Sequence, residues 1–305
     1  MSRGCQREDH LDPRVPSAAG GPNAGDAKTD DARDQAQIGA SPSPDRGPER
    51  ATNRLAEART VCELRGRTYR LRNSEIATMV ELGKFRAVAT EDLAEFAYGG
   101  NGDRMRPDVE NLFRQGLVEI KSVPHEEMGS RQLLTLTKNG HRFLTETRSA
   151  PKGQALHRGF TKPREAHHDA DLYRLYRKAA EKIERQGGRS LRVVLDYELK
   201  KHLYRDLRKL GKDCNSEDAK HAIAEKHGLQ LFQGKVPVPD VRIEYQTRDG
   251  EQARVDLELA TGHYRGRTLS EKVGAGFTLY AHADDVSKLR RILDERELTA
   301  EILSL

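Results

Sequence analysis

Two segments near the C-terminal end of the chain alternate apolar and polar residues with a period of two, the pattern of strands buried on one face. They are residues 238–245 and 253–260. The polar residues between them predict an antiparallel hairpin. A three-residue loop of Arg248, Asp249 and Gly250 gives the glycine the left-handed conformation that such a loop requires.

This loop fixes the register of the hairpin. It places apolar residues opposite apolar ones on one face and opposite charges together on the other. A two-residue turn at Asp249 and Gly250 slips the register by one and sets apolar residues against charged ones, so it is disfavoured. The predicted pairs are Tyr245 with Ala253, Ile243 with Val255, Val241 with Leu257, Glu244 with Arg254, and Arg242 with Asp256.

The same register places two carboxylates, Asp240 and Glu258, opposite each other with Cβ atoms about 4.5–5.5 Å apart. Such a pair suits Mg²⁺ or Mn²⁺, which can activate water and stabilise charge on an attacked phosphate. Glu198 is the candidate third ligand, and Lys272 the candidate to hold the water or a phosphate oxygen. Taken singly, each carboxylate is also explained structurally, with Asp240 capping a strand and Glu258 facing solvent beside Arg242.

Between residues 69 and 147 the apolar spacing predicts helices and one pair of strands. The helices run from Asn73 or Ser74 to Leu82, from Thr90 to the glycine turn at 99–102, from Asp103 or Met105 to Gln115, and over 137–144. The strands are 117–120 and 131–136. In the third helix, Val109, Leu112 and Phe113 are expected to point inward. Helix, helix-turn-helix, hairpin and helix is the order of a winged-helix domain.

Two segments of this region, 116–118 and 134–140, resemble strands and the last-helix entry of MarR-like winged helices. The resemblance implies that the third helix enters the major groove of double-stranded DNA, where arginine and asparagine read base edges. Arg131, near the hairpin tip, is expected to approach the phosphate backbone. Acidic residues on the same helix leave a protein-contact role open. The expected groove residues are Arg104, Arg106, Asn111 and Arg114.

The remaining C-terminal segments predict an α/β domain with a mixed sheet. Besides the hairpin, they are a helix after His168, a strand at 190–196, helices starting at Glu198 and after Ser216, helices at 268–280 and 284–296, and a strand at 301–305. The fold class is thus multidomain α+β.

The hairpin also resembles the PD-(D/E)xK nuclease superfamily, with Asp240 after a proline as the first acidic motif and Glu258 as the second. More closely, the order of His168, Asp240, Glu258 and Lys272 resembles the replication-relaxation family. That resemblance implies a winged helix joined to a nuclease-like domain with plasmid or mobile-element functions. The lysine of the nuclease pattern is replaced by Ala260, and Lys272 is expected to substitute for it from the helix.

Composition predicts a disordered tail (1–58) and a basic linker (148–166), and the resemblances imply a winged-helix domain (59–147) and a nuclease-like domain (167–305). Only 35% of the 305 residues are hydrophobic, and the tail holds half of the twelve prolines. Such a segment buries too little apolar surface to fold. The linker is equally compatible with contact to phosphate and with simple solvation.

A net charge of +5 permits a nucleic-acid partner without requiring one. The three cysteines are isolated, which argues against a zinc site and fits a reducing cytosol. No apolar run approaches the ~18 residues of a membrane span, and the N-terminus has no signal-peptide core. We therefore expect a cytoplasmic protein associated with nucleoid or plasmid, with a homodimer left open.

Two hypotheses on function follow from the sequence. In one, a metal-dependent DNA nickase or endonuclease uses Asp240, Glu258 and Lys272. In the other, a non-catalytic winged-helix regulator carries a degenerate nuclease-like domain. The sequence leaves the recognised DNA sequence and the biological process undefined.

Overall fold

The computed structural model describes residues 58–125, 129–160, 165–210 and 216–305. Over these ranges the chain is a mixed α+β protein with nine helices and three sheets, and the described residues lie in one compact unit. The predicted tail therefore falls almost wholly outside the described residues. No helix within them is long and apolar enough to cross a membrane.

The first part of the structure follows the predicted order of helices and strands. Its elements are β1 (Thr60–Leu64), β2 (Arg67–Leu71), α1 (Asn73–Gly83), β3 (Val88–Ala89), α2 (Thr90–Tyr98), α3 (Gly102–Arg114), β4 (Val118–His125), β5 (Gly129–Leu136) and α4 (Lys138–Thr147). Strands β3, β5 and β4 form an antiparallel sheet in that order. Gly99, with φ of 64°, adopts the left-handed conformation that ends α2 before α3 begins.

The antiparallel β1–β2 hairpin was not predicted. Its strands are short, and the outer edge of β2 is held by a side chain from a distant position. The Gln115 amide accepts from the Arg70 backbone N–H at 2.8 Å and donates to the Arg70 carbonyl at 2.9 Å. A side chain thus takes the place of a neighbouring strand, and no local pattern in β2 signals it.

The second part contains a five-stranded sheet, and the prediction that the sheet is mixed is confirmed. Its elements are α5 (Ala166–Arg185), β6 (Arg189–Leu195), α6 (Asp196–Lys209), α7 (Glu217–Lys226), β7 (Val241–Gln246), β8 (Gln252–Leu259), α8 (Gly266–Gly274), β9 (Thr278–Ala281), α9 (Ala283–Glu295) and β10 (Ile302–Ser304). The strand order is β10-β9-β8-β7-β6. Strand β9 runs parallel to both β8 and β10, whereas β6, β7 and β8 are antiparallel neighbours.

Two predictions were wrong, one about a helix in the second part and one about a side chain on α3. The helix expected over 268–280 ends at Gly274, and residues 278–281 form β9, because a left-handed Gly276 breaks the helix and Leu279 pairs with Glu258 of β8. Phe113, expected to point inward, is 52% exposed. It directly follows the buried Leu112, and because successive residues of a helix point in different directions, its side chain faces solvent.

Helix α5 packs against both parts of the described chain. Its Tyr173 is fully buried, with its ring 5.4 Å from that of Phe85 and 6.2 Å from that of Phe96. The segment before α5 is also packed, since the His157 backbone N–H donates to the Gly83 carbonyl at 2.7 Å. The predicted domain boundaries stay a prediction, but the two parts share a core.

Candidate functional site

The predicted hairpin register is confirmed at every pair. Val241 pairs with Leu257, Arg242 with Asp256, and Tyr245 with Ala253. At the loop, Gly250 has φ of 87°, and the Thr247 backbone N–H donates to the Glu251 carbonyl. The period-two alternation and one glycine therefore place this hairpin correctly without information from the rest of the chain.

The register brings Asp240 and Glu258 together, also as predicted. The Asp240 backbone N–H donates to Glu258 Oε2 at 3.3 Å, and the Leu259 backbone N–H donates to Asp240 Oδ2 at 2.9 Å. Glu258 is 1% exposed. Two carboxylates so close in a buried position need compensating positive charge or a shared proton.

Three residues contact the two carboxylates: Lys272, Tyr264 and His168. Together with Asp240 and Glu258 they form what we call the carboxylate cluster. Lys272 Nζ lies 2.7 Å from Glu258 Oε1 and also donates to the Val238 carbonyl at 2.8 Å. The Tyr264 hydroxyl donates to Glu258 Oε1 at 2.6 Å. His168 Nε2 lies 3.7 Å from Asp240 Oδ2. The predicted approach of Lys272 to the carboxylates is thus present in the structure.

The cluster perturbs the protonation of its members. Burial, and secondly the charge of Asp240, raise the pKa of Glu258 to about 7 against the opposing effects of Lys272 and Tyr264. Burial acts to raise the pKa of Asp240, but His168, the Leu259 backbone N–H and Lys272 together outweigh it and lower that pKa below its ordinary value. Burial acts to lower the pKa of His168, whereas hydrogen bonds to Asp169 and Asp240 raise it to about 10. One carboxylate is therefore ionised beside a cationic histidine, and the other titrates near neutral pH.

As arranged, the candidate ligand oxygens of the cluster do not fit a divalent metal ion. Both oxygens of Glu258 are engaged, Oε1 by Tyr264 and Lys272 and Oε2 by the Asp240 backbone. Glu198, the predicted third ligand, instead interacts with Arg192 at 3.4 Å and His157 at 3.6 Å. In the part of the chain that the structure describes, no group of three or more His, Cys, Asp or Glu side chains could hold a metal ion.

Some of the predicted DNA-contacting side chains on α3 are exposed, and others form hydrogen bonds within the protein. Arg106 and Arg114 are exposed on α3, and Arg104 is partly buried. Asn111 instead donates to the Arg70 carbonyl at 3.1 Å and to Glu75 Oε1 at 3.0 Å. Its amide joins α3 to the first hairpin and is not presented to a base edge.

Arg131 was expected to face phosphate, and the structure corrects that expectation. The side chain is buried, with its nitrogens 2.6 Å from Glu91 Oε1, 2.9 Å from Asp92 Oδ2 and 2.7 Å from Asp171 Oδ1. Its position on β5 points it at α2 and α5, so three carboxylates satisfy the guanidinium. Sequence alone could not reveal these partners, because none is close to Arg131 in the chain.

Tyr264 belongs to a basic loop that the sequence predicts beside the carboxylates, with phosphate contact and solvation equally open, but its contact with Glu258 was not predicted. It reaches Glu258 because the chain turns immediately after β8, where the Tyr264 backbone N–H donates to the Thr261 carbonyl at 2.9 Å. The only sequence signal was an aromatic residue in a short basic loop after the second acidic motif.

Comparison of the chain with protein-family models, with curated proteins and with solved structures finds no match.

Proposed function

We propose that this chain is a DNA-binding protein of plasmid or mobile-element maintenance. In this proposal, residues 59–147 are a winged-helix domain and residues 167–305 a PD-(D/E)xK-like domain that supports DNA binding without catalysis. The observation that carries the proposal is the outward face of α3, where Arg106 and Arg114 project beyond a helix-turn-helix flanked by the β4–β5 hairpin. Exposed arginines on such a helix suit contact with phosphate or base edges in the major groove.

The accessibility of these arginines supports the proposal further. Arg106 is 71% exposed, and its nearest carboxylate, Asp103, lies 3.9 Å away and is itself 94% exposed. An exposed pair of this kind contributes little, so DNA phosphates can replace it at small cost. Arg114 interacts only weakly with the Glu110 carbonyl, at 3.4 Å.

Replacing Arg106 and Arg114 together with alanine is expected to weaken binding to a 30-base-pair duplex. If both residues contact phosphate, the slope of log K against log salt concentration should become shallower by about 2. Fluorescence anisotropy on the full chain at several salt concentrations measures both quantities. The matched control replaces Arg290 and Arg291, exposed on α9, and removes the same charge elsewhere.

An unchanged affinity and salt slope in the α3 variant, with normal thermal unfolding, would overturn the DNA-binding proposal. Equal weakening in both double variants would assign binding to overall charge and contradict a specific role for α3.

The carboxylate cluster supports the non-catalytic role proposed for the second part. Lys272 and a protonated His168 already balance Asp240 and Glu258, and hydrogen bonds satisfy Glu258 on both oxygens. The cluster thereby ties β8, the residue preceding β7, and helices α5 and α8 together. We therefore assign it a structural role.

Supercoiled plasmid incubated with the full chain and millimolar Mg²⁺ or Mn²⁺ is expected to remain supercoiled over hours. Agarose gels with the Asp240→Ala and Glu258→Ala variants as controls test this expectation. Nicking by the unaltered chain that both substitutions abolish would contradict the non-catalytic assignment and favour the nuclease hypothesis. Nicking that persists in both variants would indicate a contaminating nuclease.

A further inference from the structure

Strand β2 lies against the C-terminal end of α3, and two amide side chains of the helix end hold it there. The Gln115 amide bonds both the backbone N–H of Arg70, at 2.8 Å, and the Arg70 carbonyl, at 2.9 Å. The Asn111 amide donates to the same carbonyl at 3.1 Å. Three hydrogen bonds therefore fix the backbone of a single residue relative to α3, although the bonded residues lie 41 or 45 positions apart in the chain.

The side chain of Arg70 points away from the core. Successive residues of a strand face opposite sides, and the two neighbours, Tyr69 and Leu71, are buried. Arg70 itself is exposed and forms no ion pair with any residue in the described part of the chain. Glu63, the acidic residue on that face of the hairpin, lies opposite Thr68 and not opposite Arg70. A positive charge is thus attached to a fixed backbone and left available to a partner.

The same hydrogen bonds place Arg70 beside the exposed face of α3. Residues of a helix are rotated by about 100° from one to the next, so Asn111 and Gln115, four apart, both face β2. Arg114 projects about 80° from the mean direction of that pair, and Arg106 about 80° farther round in the same sense. Both arginines are exposed. Arg70, Arg114 and Arg106 therefore follow one another around the outer surface of the helix.

We propose that Arg70 is a third contact to the phosphate backbone of double-stranded DNA, so that β2 and α3 form one phosphate-binding surface. This inference rests on the DNA-binding function proposed above and extends it to the first hairpin. A guanidinium suits this role because its planar donors can bond two phosphate oxygens at once.

Gln115 and Asn111 act in this proposal as positioning residues. They hold the backbone from which Arg70 extends, so less conformational freedom is lost when the guanidinium binds phosphate. Asn111, whose amide is not presented to a base edge, thus contributes to DNA binding through Arg70.

Arg70→Ala is expected to weaken binding of the full chain to a 30-base-pair duplex about threefold or more at about 100 mM salt, and to make the slope of log K against log salt concentration shallower by about 1. Combined with alanine at Arg106 and Arg114, the total reduction in slope should be about 3. Arg67→Ala is the matched control, since it removes an exposed arginine from the opposite face of the same strand, and it should change neither quantity.

Gln115→Met tests the positioning role, because methionine is similar in size but cannot bond the β2 backbone. It is expected to weaken DNA binding about threefold in the otherwise unaltered chain and to have no further effect where Arg70 is already alanine. A merely structural role of Gln115 would give the same weakening in both backgrounds. Thermal unfolding checks that each variant is folded.

Unchanged affinity and salt slope in a folded Arg70→Ala variant would overturn the inference, as would equal weakening by Arg67→Ala. An effect of Gln115→Met that persists in the Arg70→Ala background would overturn the positioning role. Failure of the inference is distinguishable from failure of the proposed function. If the Arg106 and Arg114 double variant loses affinity and Arg70→Ala does not, only the extension to β2 is wrong; if neither loses affinity, the DNA-binding proposal is wrong as well.

Discussion

Replacement of Arg131 by methionine is expected to lower the free energy of unfolding by about 3–5 kcal/mol. The side chain is 5% exposed and contacts Glu91, Asp92 and Asp171, of which Asp92 is fully buried. Removing a buried charge leaves its partners desolvated and less fully compensated, which costs more than the ion pairs contribute on balance. In the variant Arg174 still compensates Asp92, and His282 still contacts Asp171 Oδ2 at 3.0 Å, so the loss falls on the Asp92 and Asp171 oxygens that faced Arg131.

Urea denaturation followed by circular dichroism measures this effect. Arg114→Met, which removes an exposed arginine, is the matched control and should change stability by no more than about 0.5 kcal/mol. Adding Asp171→Leu to Arg131→Met should restore part of the stability, because a buried carboxylate that has lost its guanidinium partner is then gone. A loss below about 1 kcal/mol for Arg131→Met would contradict the buried network. The result also bears on domain organisation, since Arg131 joins β5 to α5.

Stability is expected to fall as pH rises from about 4.5 to about 7, and the carboxylate cluster is the cause. The pKa of Glu258 is raised from 4.5 to about 7 on folding. Between these values the folded chain holds a proton that the unfolded chain has lost, so rising pH favours unfolding. The slope for one such group reaches about 1.4 kcal/mol per pH unit.

The other members of the cluster act in different windows. The raised pKa of His168 stabilises the folded chain fully below pH 6.5, and this contribution is lost as pH rises towards about 10. The lowered pKa of Asp240 acts in the opposite sense, since its contribution is present above 3.8 and lost only in stronger acid. Among the members of the cluster, the window between 4.5 and 7 therefore reports on Glu258.

Glu258→Gln is expected to flatten the pH dependence of stability between 4.5 and 7, and His168→Gln to flatten it above 6.5. Thermal or urea unfolding at intervals of half a pH unit supplies the measurement. Glu244→Gln, on the same hairpin but 44% exposed in its side chain, is the matched control and should leave the profile unchanged. A profile for Glu258→Gln that parallels the unaltered chain would show that Glu258 titrates normally.

The hairpin and the carboxylate pair were predictable from sequence because their geometry is local. Strand alternation has a fixed period, so one left-handed Gly250 set the register, and the register set Asp240 opposite Glu258. Most helices were predictable for the same reason. The helical spacing around Leu112 and the capping serine at 216 are local signals that long-range contacts did not override.

Where prediction failed, a long-range partner decided the outcome. Residues 278–281 carry apolar side chains that a helix could also bury, and pairing with β8 made them a strand. Asn111 and Arg131 belong to residue types that read DNA, yet distant backbone and carboxylate groups engage both. Glu198 has the chemistry of a metal ligand but lies beside His157 and Arg192.

The sequence by itself therefore determined most of the helices, the register of the β7–β8 hairpin and the closeness of Asp240 to Glu258. Only the tertiary structure decided that Lys272, Tyr264 and His168 surround that pair, and that Arg131 is buried among three carboxylates. The physical reason is that the periodicity of apolar and polar residues depends only on residues that are close in sequence. The charge state of a carboxylate or a guanidinium depends instead on burial and on partners that the chain brings together only when it folds.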